Sequence, residues 1–335
     1  MSAMLSPTLH EASAQGRLLA DVGGTNARFA WQAGAQAPLT DARTYAAADY
    51  PSLQAAIETY LADTGRAAPG LGPVQGAIGI ANPIVGDQVH MTNHHWSFSI
   101  EGLRRSIGMQ RLVVINDFTA LALALPTLAP EEKRQIHAGQ PEVGGAMALI
   151  GPGTGLGVSG LVAAGDGSYR PLQGEGGHVT LSAVTPREQA VVAALQKRFG
   201  HASAERAVSG QGLVWMYEAL CELDGVPVPA GLDAPSISAN ALARSDARAD
   251  ETLELLFAFL GSVAGNLALT LGARGGVYLG GGVLPRVIDR LAGSAFHERF
   301  VTKGRFRAYM ETVPVYLIEA KESPALRGVA QALRD

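Results

Sequence analysis

An acidic residue and two adjacent glycines stand at the end of the first apolar stretch of the chain. The order is Asp21-Val22-Gly23-Gly24-Thr25-Asn26, between the strand-like runs 18–20 and 27–31. Because glycine has no Cβ, the backbone can approach a ligand closely there, and its N–H groups can form an anion-binding concavity. A carboxylate beside a phosphate is tolerated where a divalent cation lies between them. The stretch predicts a nucleotide-phosphate site, and the alternative is a β-hairpin whose glycines serve only the turn.

An amide and a second carboxylate follow another apolar run. Asn116 and Asp117 come directly after residues 112–115, which are typical of a strand buried on both faces. Open α/β sheets bind their ligands at the carboxyl ends of their strands. Asp117 could take the proton of a hydroxyl group as its oxygen attacks phosphorus, as phosphoryl transfer requires. The alternative is an Asx turn or a cap of the helix predicted from Thr119 to Leu125.

A second strand, glycine turn and strand begins at residue 146. The run 146–150 leads into Gly151-Pro152-Gly153-Thr154-Gly155-Leu156-Gly157, and 158–162 look like a returning strand. The repeated pattern indicates two similarly built domains. Gly155 to Gly160 also satisfies G-x-G-x-x-G, with Glu175 following, but that dinucleotide fingerprint requires a helix directly after the glycines. The match without that helix is a weak indication of a dinucleotide site.

Polar side chains on a later glycine-rich loop suit a ligand with hydroxyl groups. Glu175 and His178 lie within Gly174–His178; a carboxylate accepts hydrogen bonds, and an imidazole can donate or accept them. A solvated loop is the alternative. Glu205, taken by itself, is typical of a helix surface residue.

The composition of the 335 residues limits the classes of function. Hydrophobic residues make up 47% and charged residues 17%, which indicates a sizeable core. A net charge of −4 without a long basic run argues against nucleic acid or a membrane surface as the main partner. Cys221 is the only cysteine, which excludes an internal disulfide and a cysteine-rich zinc site and fits a reducing compartment. Residues 1–16 lack the features of a signal peptide and are predicted to be a loose tail.

One segment imitates a membrane span. Residues 255–272 carry no charge, and Gly261 and Gly265 match G-x-x-x-G. Ser262 and Asn266 interrupt the apolar run, so a buried core helix is expected. The alternation of apolar runs and helical stretches along the chain predicts mainly parallel α/β sheets, and the Pro- and Gly-rich segment 126–145 is the predicted linker.

Together these stretches resemble the bacterial glucokinases, in the hexokinase branch of the actin-like ATPase superfamily. The matching segments follow one another from Leu18 to the C-terminus, at 21–26, 81–83 with 91–96, 115–118, 151–157, 174–179, 203–206 and 280–286. Seven segments in this order are far more specific than one glycine loop. The related ROK sugar kinases carry a cysteine-rich zinc motif, which this chain cannot have, so the resemblance is to the non-ROK group.

The resemblance implies an α/β fold of two actin-like (ribonuclease-H-like) domains with the active site in the cleft between them. We expect a flexible tail at 1–16, a small domain at 17–127 plus 319–335, and a large domain at 128–318. The C-terminal helix would return to the small domain. Members of the family are commonly homodimers, and a homodimer is expected here as well.

The resemblance also assigns roles to individual residues. Asp117 resembles the general base that takes the proton of the sugar's primary hydroxyl, and Asp21 the acid that holds Mg²⁺ through water. The other sugar hydroxyls would be bound by Asn116, Glu175, His178 and Glu205. The cofactor ATP would be bound by Ala20, Asp21, Val22, Gly23, Gly24, Thr25, Gly153, Thr154 and Gly155, with its adenosine at Gly281 and Gly282.

The implied activity is ATP-dependent phosphorylation of D-glucose to glucose 6-phosphate, the first step of glycolysis, in the cytoplasm. One alternative is a sugar-responsive regulator or another actin-like relative that has lost the chemistry. The intact Asp117 and both glycine loops argue against it, as does the lack of a DNA-binding segment before Leu18. An NAD-dependent oxidoreductase, suggested by Gly155–Gly160, is the other alternative.

Overall fold

The structure, a computed structural model, describes residues 16–92, 94–320 and 323–334. These residues form two compact units, one of residues 16–128 with 323–334 and one of residues 129–320. The boundaries lie a few residues from those predicted. The predicted tail falls outside the described residues except for Gly16, whose carbonyl accepts hydrogen bonds from the N–H groups of Val74 and Gln75 at 2.8 and 3.2 Å. Gly16 is therefore joined to the first unit by hydrogen bonds.

The first unit is built on a five-stranded sheet with the order β3-β2-β1-β4-β7. Its elements are β1 (Arg17–Val22), β2 (Asn26–Gln32), β3 (Leu39–Ala46), α1 (Leu53–Asp63), β4 (Gln75–Ile80), β5 (Gln88–His90), β6 (Ser97–Ser99), α2 (Ile100–Ile107), β7 (Arg111–Asn116), α3 (Asp117–Ala124) and, from the C-terminus, α11 (Ala325–Gln331).

The second unit is built on a six-stranded sheet with the order β11-β10-β9-β12-β13-β8. Its elements are β8 (Lys133–His137), β9 (Met147–Pro152), β10 (Leu156–Ala163), β11 (Tyr169–Gln173), α4 (Pro186–Phe199), α5 (Gly210–Asp224), α6 (Ala234–Ala243), α7 (Ala247–Leu271), β12 (Gly276–Leu279), α8 (Leu284–Leu291), α9 (Phe296–Val301), α10 (Arg307–Glu311) and β13 (Val315–Ile318).

The two sheets repeat one arrangement. In each, an antiparallel hairpin (β1–β2 or β9–β10) continues into a third antiparallel strand on one side and into two parallel strands on the other. The prediction of mainly parallel sheets was wrong, because a short glycine turn can join only antiparallel neighbours, whereas a parallel connection needs a long crossover. The repeat agrees with the two similarly built domains that the glycine turns indicated.

Helix α7 is the apolar segment that resembles a membrane span. It is long and apolar enough to cross a membrane by length and composition, but 72% of its apolar window is buried within the fold. Its glycines serve helix packing, since a Cβ on Gly261 would lie 2.3 Å from the carbonyl oxygen of Phe296 in α9. The expectation of a buried core helix is confirmed.

The C-terminal helix packs against the helix that follows β7. A Cβ on Gly328 in α11 would lie 1.7 Å from the carbonyl oxygen of Ala120 in α3, so the two backbones are in direct contact. In addition, a Cβ on Gly79 in β4 would approach both Ala120 and Val329 at about 3 Å. This packing fixes the start of α3, where Asp117 lies, and the C-terminal helix is part of the first unit.

Candidate active site

Asn116 and Asp117 divide two roles at the carboxyl end of β7. The side-chain oxygen of Asn116 accepts hydrogen bonds from the N–H groups of Phe118 at 2.9 Å and Thr119 at 3.2 Å, which makes Asn116 the N-cap of α3. The helix-cap alternative therefore holds for Asn116. Its amide NH₂ donates one hydrogen bond to the carbonyl of Asn82 at 3.5 Å, which leaves the second N–H for a ligand. Asp117 is the first residue of the helix, and its Oδ1 accepts from the N–H of Phe118 at 2.8 Å.

Asp117 shares its end of the sheet with Asp21. The strands that carry them, β7 and β1, both run parallel to β4, which lies between them. Burial raises the pKa of the Asp117 carboxyl, and the negative charge of Asp21 raises it further. The hydrogen bond from the N–H of Phe118 lowers this pKa, but burial has the larger effect. Two carboxylates in one partly buried region form a site that favours the uptake of a proton or the binding of a cation.

Asp21 lies in the centre of the sheet and is 8% exposed. Burial raises its pKa, while the guanidinium of Arg28, 3.3 Å away on the paired strand β2, and a hydrogen bond with Ser323 lower it. The residues fit a magnesium ion, because Mg²⁺ is usually held by one or two carboxylates, several waters and the phosphates of a substrate. Among the described residues, no group of three or more His, Cys, Asp or Glu side chains could hold a metal.

The first glycine turn closes the β1–β2 hairpin. The N–H of Gly23 donates to the carbonyl of Asn26 at 2.9 Å, and the carbonyl of Thr25 accepts from Ala47 at 2.8 Å. Gly23 and Gly24 are partly buried, and Thr25 is exposed. The side chains of Ala20 and Val22 are fully buried in the core of the first unit, so any contact that these residues make with a nucleotide would have to come from their backbone.

The second glycine loop, Gly151–Gly157, is held in place by two other segments of its unit. The N–H of Gly210 donates to the carbonyl of Gly153 at 2.8 Å, and the N–H of Val283 donates to that of Pro152 at 3.1 Å. Gly281 has φ +81°, and a Cβ on it would lie 2.3 Å from the carbonyl oxygen of Pro152. The residues after this loop continue into strand β10, so the helix that a dinucleotide fingerprint requires does not follow the glycines.

A cavity of about 280 Å³ opens beside this loop, and three helices begin at it. The cavity is lined by Gly153, Thr154, Gly210, Leu213, Ala234, Pro235, Ser238, Gly282, Val283 and Arg286. Ser209 caps α5 and Asp233 caps α6, whereas among the described residues no side chain caps α8. Helix N-termini present free N–H groups and a partial positive charge, which favour phosphate.

Glu205 lies against the second glycine loop and is not a helix surface residue. It belongs to the single 3₁₀ turn Ala204–Arg206, and its Oε2 accepts a hydrogen bond from the N–H of Leu156 at 2.9 Å. A Cβ on Gly155 would lie 2.3 Å from the same oxygen. The carboxylate therefore occupies the space that the missing side chain of Gly155 leaves free.

Glu175 and His178 lie on the neighbouring loop and are exposed. The N–H of Leu181 donates to the carbonyl of Ala202, and the N–H of Ala204 donates to that of Val179, both at 2.9 Å. These bonds pair the segment that follows His178 with the segment that precedes Glu205. His178 and Glu205 therefore lie next to the same end of this pairing. A Cβ on Gly177 would lie 2.2 Å from the carbonyl oxygen of Leu156, which shows that this loop too contacts the second glycine loop.

A family model described as Glucokinase matches residues 18–335 of the chain. The chain belongs to the glucokinase family. A glucokinase of Aromatoleum aromaticum is 54% identical over 318 residues, which cover 95% of this chain and 94% of that protein. One of Chromobacterium violaceum is 51% identical, with 95% and 89% covered. The crystal structure of a glucokinase from an Antarctic psychrotroph is 38% identical and has a TM-score of 0.85, covering 95% of this chain and 98% of that one.

These findings confirm the resemblance to bacterial glucokinases and the actin-like α/β fold. Within the glucokinase-family chain, the first unit holds the predicted site residues at 20–25, Asn116 and Asp117, and the second holds the other predicted site residues. Glu175, His178, Glu205 and Gly155 lie on segments that contact one another, and Gly153, Thr154 and Gly282 line the cavity. Asp21 and Asp117 interact through their charges.

Sequence reasoning missed several residues that line the cavity in this glucokinase-family chain. Gly210, Leu213, Ala234, Pro235 and Ser238 come from the first turns of α5 and α6, and Val283 and Arg286 from the start of α8. The sequence did contain a signal, since Ser209 and Asp233 are typical N-cap residues and Pro235 is typical of a first helical turn. What the sequence could not indicate is that three helix starts converge.

Proposed function

We propose that this chain transfers the terminal phosphoryl group of ATP to the 6-hydroxyl group of D-glucose. The observation that carries the proposal is the placement of Asp117, at the carboxyl end of β7, with a raised pKa and with the capping of α3 left to Asn116. Membership in the glucokinase family supports it. Neither a dinucleotide oxidoreductase nor a relative without the chemistry is favoured.

In the proposed reaction Asp117 accepts the proton of the sugar's primary hydroxyl as that oxygen attacks the terminal phosphorus. A raised pKa makes the ionised carboxylate a better proton acceptor, and a general base typically contributes about 10²–10⁴-fold to the rate. Glu175, His178 and Glu205 would accept from or donate to the remaining hydroxyls, together with the amide NH₂ of Asn116. Phosphoryl transfer needs little else from the protein beyond positioning and charge stabilisation.

The triphosphate would lie along the two glycine segments, Gly23–Thr25 and Gly153–Gly155. Helix N-termini beside the second segment would stabilise its negative charge, and the adenosine would lie near Gly281 and Gly282. Asp21 would hold Mg²⁺ through water; when bound, the ion neutralises charge on the phosphates. We further propose that the active site lies in a cleft between the predicted domains, 17–127 plus 319–335 and 128–318, that the protein is a cytoplasmic homodimer, and that nucleic acid and membranes are not its partners.

A coupled assay that follows ADP or sugar phosphate tests the proposal directly. The purified protein is offered glucose, mannose, glucosamine and fructose, each with ATP, ADP or polyphosphate and with Mg²⁺. We expect turnover with glucose and ATP, and none without a divalent cation. Glucose binding without turnover would instead support the regulator alternative, and tight binding of NAD rather than ATP in a calorimetric titration would support the oxidoreductase.

A further inference from the structure

The turn that carries Glu205 is short, and hydrogen bonds from the N–H of Ala204 to the carbonyl of Val179 and from the hydroxyl of Ser209 to the carbonyl of Glu205 attach its backbone to neighbouring segments. It consists of three residues, Ala204–Arg206, in a 3₁₀ helix. Successive residues of such a helix point about 120° apart, because it has 3.0 residues per turn. Glu205 is directed at the N–H of Leu156, so Arg206 is directed elsewhere.

Arg206 lies over two aromatic rings from different helices. Its guanidinium carbon is 4.2 Å from the ring centroid of Phe199 in α4 and 4.7 Å from that of Trp215 in α5. The two rings are themselves in contact, with centroids 4.7 Å apart. Within residues 16–92, 94–320 and 323–334, no carboxylate lies at ion-pair distance from Arg206. The charge of its guanidinium therefore interacts with the two aromatic rings.

The neighbouring arginine has a different arrangement. Arg198 lies 5.2 Å from the same Phe199 ring, but it pairs with the carboxylate of Glu218. It belongs to helix α4 and not to the turn. The chain therefore offers two arginines on one aromatic ring, of which only Arg206 is bonded covalently to Glu205.

We propose that Arg206 is a positioning residue, which anchors the turn on Phe199 and Trp215 and thereby holds Glu205 against the second glycine loop. The inference rests on the proposed function, since Glu205 would bind the sugar and Gly153–Gly155 the phosphates. The Glu205 carboxylate contacts the second glycine loop and, in the proposed function, also binds the sugar. Arg206 therefore affects the binding of both substrates. The fit at Gly155 leaves Glu205 little room for displacement.

The test is the pair of variants Arg206→Met and Arg206→Lys. Methionine keeps an apolar contact with the rings but loses the charge, and a misplacement of about 1 Å at a site can cost about 10²-fold. We expect kcat/KM for glucose and for ATP to fall roughly 10- to 100-fold in Arg206→Met. Arg206→Lys should recover part of this loss, because an ammonium group also binds an aromatic face. Arg198→Met is the matched control and should stay near the wild-type value.

A double-variant cycle separates positioning from a merely structural role. In a Glu205→Gln background, Arg206→Met should cause little further loss, because its effect passes through Glu205. Full additivity of the two losses, or an Arg206→Met enzyme that equals the wild type, would overturn the inference. Wild-type turnover is measured first in the same assay, and its absence would count against the proposed function alone. The affinity of each variant for ATP, measured by calorimetry, then decides the inference without turnover; a value unchanged by Arg206→Met would overturn it.

Discussion

The hairpins β1–β2 and β9–β10 have the same local pattern and opposite electrostatic surroundings. Each joins two antiparallel strands by a glycine turn and is followed in its sheet by a parallel strand. The first lies beside Asp21 and Asp117, whose pKa values burial raises. The second lies beside the starts of three helices, and the nearby carboxylate of Glu205 accepts a backbone N–H. The surroundings of the same backbone motif therefore favour a proton or a cation in one unit and an anion in the other.

Carboxylates with raised pKa values reduce stability at neutral pH, because the folded protein must keep charged groups in poorly solvated places. Helix N-termini carry a partial positive charge, and a bound anion is stabilised there. The comparison thus predicts that substitutions in the first unit change chemistry and substitutions in the second change binding and packing.

The largest effect should follow the removal of the Asp117 charge. In Asp117→Asn the side chain keeps its shape but cannot accept a proton, so kcat should fall about 10²- to 10⁴-fold. The thermal midpoint should not fall at pH 7, because the variant no longer buries a charge. Steady-state kinetics and thermal unfolding of the purified variant measure both quantities.

The matched control is Asp49→Asn, which removes an exposed carboxylate of the same unit. Its kcat should equal that of the wild type. Near-normal turnover in Asp117→Asn would remove Asp117 from the role of base and would break the proposed difference between the two hairpins.

An intermediate effect should follow from two adjacent glycines of the second unit. A methyl group on Gly281 would meet the carbonyl of Pro152 at 2.3 Å and would strain a residue with φ +81°. Gly281→Ala should therefore lower the free energy of unfolding by about 1–3 kcal/mol. A Cβ on Gly282 has no heavy atom within 4 Å and would project beside the cavity that Gly282 lines. Gly282→Ala should leave the unfolding midpoint unchanged and raise KM for ATP.

Denaturant unfolding and steady-state kinetics of the two variants separate packing from nucleotide binding. The comparison of the hairpins would be contradicted if Gly282→Ala lost stability like Gly281→Ala, or if neither variant altered the response to ATP.

The sequence indicated the local parts of the site better than their assembly. Two hairpins, Asp21 beside the first and Asp117 after β7 could be predicted because glycine pairs, apolar runs and polar residues at strand ends are local signals. The role of Asn116 as a helix cap was one of two alternatives that the sequence left open. The mixed sheets were not predicted, since apolar runs carry no strand direction, and Glu205 gave no signal of its own because its partner Leu156 is distant in the chain.

The smallest effect concerns the pH dependence of stability at Asp21. Burial raises its pKa, so the folded protein binds more protons at this carboxyl than the unfolded chain between the unfolded value of about 3.8 and the folded value. The free energy of unfolding of the wild type therefore decreases as the pH rises through this window, whereas that of Asp21→Asn does not show this decrease. Without Mg²⁺, the variant's unfolding midpoint relative to the wild type should rise as the pH increases above about 3.8 and should level off above the folded pKa of Asp21.

Adding Mg²⁺ with ATP should reverse this ranking, because the ion compensates the buried charge in the wild type and finds no carboxylate at position 21 in the variant. Asp49→Asn should show neither effect. A difference between Asp21→Asn and the wild type that stays constant over pH would mean that Arg28 and Ser323 already compensate the Asp21 charge. An equal response of both proteins to Mg²⁺ with ATP would place the ion away from Asp21, and the first hairpin would then differ from the second only by its proton acceptor.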